Sequence, residues 1–480
     1  MNLRAVSGLV GRLLLLLAAA QLIPFSFALW HGERRPATAL AGSLIVCALA
    51  GATALWWGKP HEKIYRREAT LVVVGAYILA SFFGALPYLL SGEIANPVSA
   101  LFESASGFTT TGASILTDIE LLSPSILLWR GLTQWLGGMG ILLLFVALFP
   151  SLGPGARLLY RLEVPGPTQD MFQPQVQKTA TVLWRIYVGL TIVLILLLLA
   201  GGATQYEAFC YAFTTVSIGG FAPYNASVAA FDSAFIEWTI IVFMLIAGIN
   251  FSLIFAVRSR PSQLYKDVEF RAYASIAAVL VALVTLDRWR GTDLPLLEAF
   301  REAAFNSVSL MTTTGYTTRD YDSWSDTSRT LLLLAMFVGG CAGSTAGGIK
   351  VGRLVMTLKM ALREVHLMFN PRRVLALWVG KRTISDQVAR SLGGFMTLFA
   401  FLWLGVAAIL ALAGNDMVTS LSSSLACLSN VGPAMGAAGP SLNYAFFAGW
   451  EKLLLIFLMW LGRLEIVAVT AILLPAFWRR

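Results

Sequence analysis

Four short stretches of this chain end on a glycine: FTTTG at Gly112, VSIG at Gly219, MTTTG at Gly315 and SNVG at Gly432. The chemistry open to them is that of backbone carbonyls. An extended strand at membrane depth must aim its carbonyl oxygens at something polar, and rings of such oxygens can replace the hydration shell of a potassium ion. Glycine permits the backbone dihedrals that point successive carbonyls inward. The neighbours Thr110, Thr111, Ser217, Ile218, Thr313, Thr314, Asn430 and Val431 complete four candidate filter strands, with hydroxyl and amide side chains able to brace the backbone or line its mouth. A Thr-rich packing seam is the plainer alternative, since small residues also bring membrane helices together. Such a seam does not require a glycine at the same place four times.

Each glycine is followed by a span with its own Gly-rich or polar break, at Gly138, Gly248, Gly340 and Gly462, so the offsets are 26, 29, 25 and 30 residues. One match means little among 42 glycines. Four in order, each between two apolar spans, make a repeat, and a repeat decides architecture before any motif does. The expected fold is all-α and membrane-integral: four pseudo-symmetric helix–pore-loop–helix units around one pore, plus an N-terminal helix pair. The expected boundaries are residues 1–60 for the pair, then 61–165, 166–265, 266–370 and 371–480 for the four repeats.

The elements that position these strands follow from composition. Apolar residues make up 57% of the 480 positions and charged residues 13%, with mean hydropathy +0.72. A soluble core cannot hide that much apolar surface. Apolar runs predict ten spans, near 7–30, 38–57, 69–90, 125–150, 179–202, 235–257, 271–287, 328–356, 390–414 and 450–477. The first resembles a signal peptide in its Arg12-LLLLLAAA opening, but the apolar run continues past any cleavage site and reads as a helix. Loops holding Lys59, Lys63, Arg66 and Arg67, then Arg157 and Arg161, then Arg258, Arg260 and Lys266 are basic and belong to the cytoplasmic side, as do both termini with Arg4, Arg479 and Arg480. The segments 91–124, 203–234 and 415–449 hold acids without a single Lys or Arg and belong outside, joined by the mixed segment 288–327. This sidedness accounts for the net charge of +9 and removes the case for a nucleic-acid partner. Cys47, Cys210, Cys341 and Cys427 form no ligand pairs, and His31, His61 and His366 fall in predicted loops, so neither a zinc site nor a membrane enzyme is indicated.

A second site is predicted below the first. GGCAGSTAGG, with Gly339, Gly340, Gly343, Ser344, Thr345, Gly347 and Gly348 ahead of Lys350, cannot be an ordinary helix interior, because each glycine costs about 1 kcal/mol relative to alanine. It is not a phosphate-binding loop either, since no Ser or Thr follows Lys350. An intramembrane loop closing the pore is the expectation, with a simple kink as the alternative. Arg463 lies deep in the last span, where a charge needs water or a polar partner. Glu465 falls on the opposite helix face, so Arg463 is expected to point at the 339–348 loop and raise the barrier to cations. The segment 350–390, with Lys350, Arg353, Lys359, Arg363, Arg372, Arg373, Lys381, Arg382 and Arg390, reads as a cytoplasmic loop whose charge fixes orientation or meets anionic lipid, with a docking surface for an acidic cytoplasmic partner as the sharper reading.

These stretches, with VSIGGF, TTTGY, SNVGP, GGCAGSTAGGIK and WLGRLE, resemble the TrkH-type membrane subunits of the Trk, Ktr and HKT potassium transporter superfamily, over essentially the whole chain. The resemblance implies potassium uptake in a bacterial inner membrane by a homodimer, each protomer with its own pore. It also implies a cytoplasmic TrkA-type regulator that binds ATP/ADP or NADH, while this chain holds no covalent cofactor and takes potassium as substrate. Glycine at all four filter positions goes with potassium in that superfamily. The alternative is an ion-coupled symporter with alternating access, using proton or sodium, because broken helices also build midplane ion sites.

Overall fold

The computed structural model describes residues 1–58, 65–140, 176–369, 376–379, 382–464 and 466–478. Readings placed on Lys59, His61, Lys63, Arg157, Arg161, Arg372, Arg373, Lys381, Glu465, Arg479, Arg480 and the 141–150 end of the fourth span lie outside them.

Six of the ten expected spans are continuous apolar helices: Leu3–Trp30, Arg34–Trp57, Arg66–Ser91, Val176–Ala200, Val268–Gly291 and Asp386–Leu412. The first two are the N-terminal pair, and the other four each open one repeat. The pair packs antiparallel, with the Ser7 hydroxyl donating to the Ala54 carbonyl (2.8 Å). Glu33, at the tip of the pair, accepts from the Ser125 N–H (3.3 Å) and so docks it onto repeat 1.

Among the described residues no closing span runs as one continuous helix. Pro124–Gly138 stops at its glycines, and Ala234–Ala247 and Phe251–Val257 meet at a 98° bend. Asp326–Val338 and Val351–Phe369 are separated by a non-helical stretch, and Gly449–Arg463 is followed by Ile466–Leu473. Among the described residues every piece of these spans except Val351–Phe369, which has 19 residues, has 15 residues or fewer, short of the about 20 that cross a bilayer.

Between opening and closing helices lies a short half-helix: Pro97–Phe108, Gln205–Val216, Leu296–Met311 and Met417–Leu428. Their starts are written in capping chemistry. The Asn96 side chain accepts from the Val98 and Ser99 N–H groups, Thr204 and Glu207 form a reciprocal capping box, and Asp416 accepts from the Thr419 N–H (2.9 Å). Each half-helix is buried along most of its length, including its Ser and Thr residues, so it runs inside protein.

One expectation is corrected. The segment 350–390 is not a plain loop: residues Val351–Phe369 form a helix with apolar side chains at Val351, Val355, Leu358, Leu362 and Val365, and Leu377–Val379 pairs antiparallel with Arg382–Ile384. Helical spacing of the apolar positions outweighs the density of basic residues there. The small hairpin is a local departure from an otherwise helical fold.

Candidate functional site

The four half-helices end identically. Their C-caps, Thr109, Ser217, Thr312 and Ser429, keep right-handed helical dihedrals. The next residue enters the left-handed region in every repeat: Thr110 (φ 53°), Ile218 (55°), Thr313 (67°) and Asn430 (54°). The residue after it donates its N–H back into the half-helix: Thr111 to Ser106 (2.9 Å), and Gly219 to Thr214, Thr314 to Ser309 and Val431 to Ala426 (2.8 Å each). Then comes a left-handed glycine: Gly112 (φ 81°), Gly220 (80°), Gly315 (83°) and Gly432 (97°).

This register corrects the sequence alignment in repeat 2. Gly220, not Gly219, stands where Gly112, Gly315 and Gly432 stand, while Gly219 is the counterpart of Thr111, Thr314 and Val431. Sequence alone offers two adjacent glycines, and only the C-cap decides between them.

The four glycines close a ring. A Cβ added to Gly112 would collide with the Gly219 carbonyl oxygen, one on Gly220 with that of Thr314, one on Gly315 with that of Val431, and one on Gly432 with that of Thr111. Each repeat therefore leans on the next in chain order, and the fourth leans on the first. Positive φ already favours glycine at these positions. Contact with the neighbouring carbonyl removes the remaining room for a side chain.

Several side chains fix these strands from behind. Gln134 Nε2 donates to the Gly219 carbonyl (2.6 Å) while its Oε1 accepts from the Phe221 N–H (3.0 Å), which settles the orientation of the amide. The Tyr316 hydroxyl meets those of Thr214 and Thr215 (3.2 Å to the latter), and the Tyr444 hydroxyl donates to the Gly432 carbonyl (2.7 Å). Glu103 and Arg130 form a fully buried ion pair (2.6 Å). Glu103 also accepts from the Ser114 hydroxyl and the Ile115 N–H, and Arg130 donates to the Ala222 carbonyl (3.0 Å) and stacks over the Phe221 ring at 3.5 Å. Gln134, Tyr316, Glu103 and Arg130 were not among the sequence candidates. Arg130 carries the same signal as Arg463, a charge inside an apolar span, but its partner lies in a distant segment.

On one side of the ring is a cavity of about 130 Å³ lined by Gly112, Gly220, Gly315, Pro433 and Thr317. On the other side residues 339–350 fold as a non-helical loop, with Gly339, Gly343, Gly348 and Lys350 at positive φ. The loop reaches three repeats directly. The Thr345 hydroxyl donates to the carbonyls of Val216 and Ala247 (3.2 Å each), the Gly347 N–H to the Thr313 hydroxyl (2.8 Å), and the Gly348 N–H to the Ser429 carbonyl (2.9 Å). It is tied to the bend in repeat 2 by Cys341 N–H to Gly248 O (2.8 Å) and Phe251 N–H to Gly343 O (3.1 Å). Ser344 turns back onto the Cys341 carbonyl (2.6 Å), and Gly340 accepts from the Val351 N–H (3.0 Å).

Arg463 supplies the link to repeat 1. Its guanidinium donates to the Thr345 carbonyl (2.9 Å) and to those of Gly137 and Gly138 (2.6 Å each). It thus lies against the loop and the break in the first closing helix. A second cavity, of about 70 Å³, adjoins this arrangement, lined by Gly347, Gly348, Lys350, Arg353 and Arg463. Chemically, a ring of backbone oxygens suits a dehydrated monovalent cation. The loop beneath it takes up carbonyls at the C-terminal ends of half-helices, where the helix dipole favours positive charge.

Comparison with known proteins agrees along the full length. The profile of the TrkH family, described as "Cation transport protein", matches residues 38–476. The chain is 36% identical to "Trk system potassium uptake protein TrkH" of Halomonas elongata and to the protein of the same name from Escherichia coli (strain K12), covering 100% of both chains in each case. Its fold matches the crystal structure of the potassium transporter TrkH from Vibrio parahaemolyticus with a TM-score of 0.89 and 32% identity, over 100% of both chains.

Proposed function

Because the chain belongs to the TrkH family of cation transport proteins, transporters rather than enzymes, we propose that it takes up potassium across a bacterial inner membrane through a channel-like pore. The observation that carries this reading is the closed ring of Gly112, Gly220, Gly315 and Gly432, each seated against a carbonyl of the next repeat. Thr110, Thr111, Ser217, Ile218, Gly219, Thr313, Thr314, Asn430 and Val431 supply the rest of the filter, and the potassium ion is the substrate held there. One chain encloses one pore, with repeats divided at about the boundaries 61–165, 166–265, 266–370 and 371–480.

The loop 339–350 is the gate, seated by hydrogen bonds to repeats 2, 3 and 4 and stapled to repeat 1 by Arg463. Its donors occupy carbonyls that a cation leaving the filter would otherwise face, so conduction requires the loop to leave its seat. A cytoplasmic TrkA-type regulator binding ATP/ADP or NADH drives that movement, and the working assembly is a homodimer with both termini cytoplasmic. The names of the relatives, drawn from a potassium uptake system, support the substrate.

The test is rubidium flux through purified protein in liposomes under opposed potassium and sodium gradients, comparing wild type with Gly112→Ser and Gly315→Ser. Reversal near the potassium potential, displaced toward sodium in both variants, is the expected result. Flux tied in fixed ratio to a second ion and indifferent to both glycines would replace the pore with an alternating-access symporter.

A further inference from the structure

Among the described residues a carboxylate, that of Glu269, touches the gating loop from the frame of the fold. Glu269 stands in the first turn of the helix Val268–Gly291, which opens repeat 3. Its Oε1 accepts hydrogen bonds from the backbone N–H groups of Ala342 (2.7 Å) and Gly352 (3.0 Å). These two donors flank the loop: Ala342 is in its entry, and Gly352 is in the first turn of the helix Val351–Phe369 that leaves it. Between them the neck is narrow, with Ile349 N–H donating to the Phe337 carbonyl (3.2 Å) and Val351 N–H to that of Gly340 (3.0 Å). A Cβ on Gly352 would strike the Glu269 carboxylate, so the approach depends on glycine there.

We propose that Glu269 is a positioning residue for the gate, an anionic latch that couples the seat of the helix Val351–Phe369 to the closed conformation of the loop. The proposal rests on the gating role given above to residues 339–350. Hydrogen bonds to an ionised acceptor are roughly twice as strong as neutral ones. A single oxygen holds both donors, so displacing the helix strips one of them from the carboxylate and loosens the other end of the loop. Arg463 grips the middle of the loop from repeat 4, and Glu269 grips its two ends from repeat 3. The two charges act on different atoms, so each can be removed without the other.

The experiment measures rubidium flux and the potassium–sodium reversal potential for full-length protein in liposomes without regulator, in wild type, Glu269→Gln, Glu269→Ala and Arg463→Ala. Both Glu269 variants are expected to raise flux, Ala by roughly tenfold or more and the isosteric Gln by less, with the reversal potential unchanged because the filter is untouched. A rise in Arg463→Ala alone removes the latch and leaves the gate standing. No rise in any variant removes the gating role of the loop itself. A Glu269 variant that shifts the reversal potential together with flux also overturns the latch, since that marks general loosening. Should Glu269→Ala fail to give monodisperse protein, Glu269→Gln decides the matter by the same readouts.

Discussion

Asn430, in the fourth strand, donates its amide to the hydroxyl of Thr111 in the first, across 2.9 Å and 319 residues of chain. The same amide nitrogen donates to the Met459 carbonyl (3.0 Å), so it joins the last repeat to the first and to its own closing helix. Asn430→Ala removes both hydrogen bonds in a buried setting, leaving the Thr111 hydroxyl only its bond with Thr109, at a cost of about 1–3 kcal/mol. It should lower the thermal stability of the purified protein and reduce potassium-over-sodium discrimination, read from the reversal potential. An unchanged reversal potential would mean that closure between repeats 4 and 1 does not shape the filter.

The repeat 2 register makes Gly219 and Gly220 separable. A Cβ on Gly220 meets the Thr314 carbonyl at positive φ, whereas one on Gly219 meets the flexible side chain of Gln134. Gly220→Ala should lower rubidium flux and move the reversal potential toward sodium, as at Gly112 and Gly315, with no rescue by any side-chain change nearby. Gly219→Ala should be partly rescued in yield of folded protein by Gln134→Ala, although the double variant loses the amide brace. Equal rescue of both glycine variants contradicts the register.

Glu103 and Arg130 are buried with 0% and 3% side-chain exposure, so neither tolerates loss of its partner. Removing one side of such a pair costs about 3–5 kcal/mol, because a bare charge stays inside. Glu103→Ala and Arg130→Ala should each sharply reduce the yield of monodisperse protein. Glu103→Gln combined with Arg130→Met should recover more than either single change, measured by thermal unfolding in detergent.

Asp416 caps the fourth half-helix. Burial alone pushes its carboxyl up, but hydrogen bonds from the Thr419 side chain and backbone and from the Val418 N–H outweigh it and hold the group below the usual aspartate range. A depressed folded value means that the cap stabilises fully above the unfolded pKa of about 3.9 and fades as pH falls through the lower folded one. Asp416→Ala should cost about 1 kcal/mol near neutrality. The gap between variant and wild type, followed by thermal unfolding, should shrink as pH drops below about 4.

Much of this architecture is readable from residue types, and the unreadable parts have physical reasons. Ten apolar runs are visible because membrane helices need length, and the helix ends near 138, 248, 340 and 462 are visible because glycine marks them. The choice between Gly219 and Gly220 is hidden, since both satisfy the same composition and only the end of the half-helix sets the count. The helix Val351–Phe369 escapes notice because its basic residues look like a loop, although Leu358, Leu362 and Val365 keep helical spacing. Gln134 and the Glu103–Arg130 pair act through partners 85, 87 and 27 residues away, contacts that local pattern does not encode.

A ring assembled from one chain differs in a further way from one assembled from four identical subunits. Its quarters are spelled TTG, IGG, TTG and NVG, and each is backed by different side chains. A mutation in a homotetramer is copied four times and reaches every side of the ion at once. Here it alters a single quadrant while three keep their inherited form. If these strands form the proposed filter, selectivity can therefore drift in small steps, one quadrant at a time, and the four strands are free to specialise without losing the pathway they would jointly enclose.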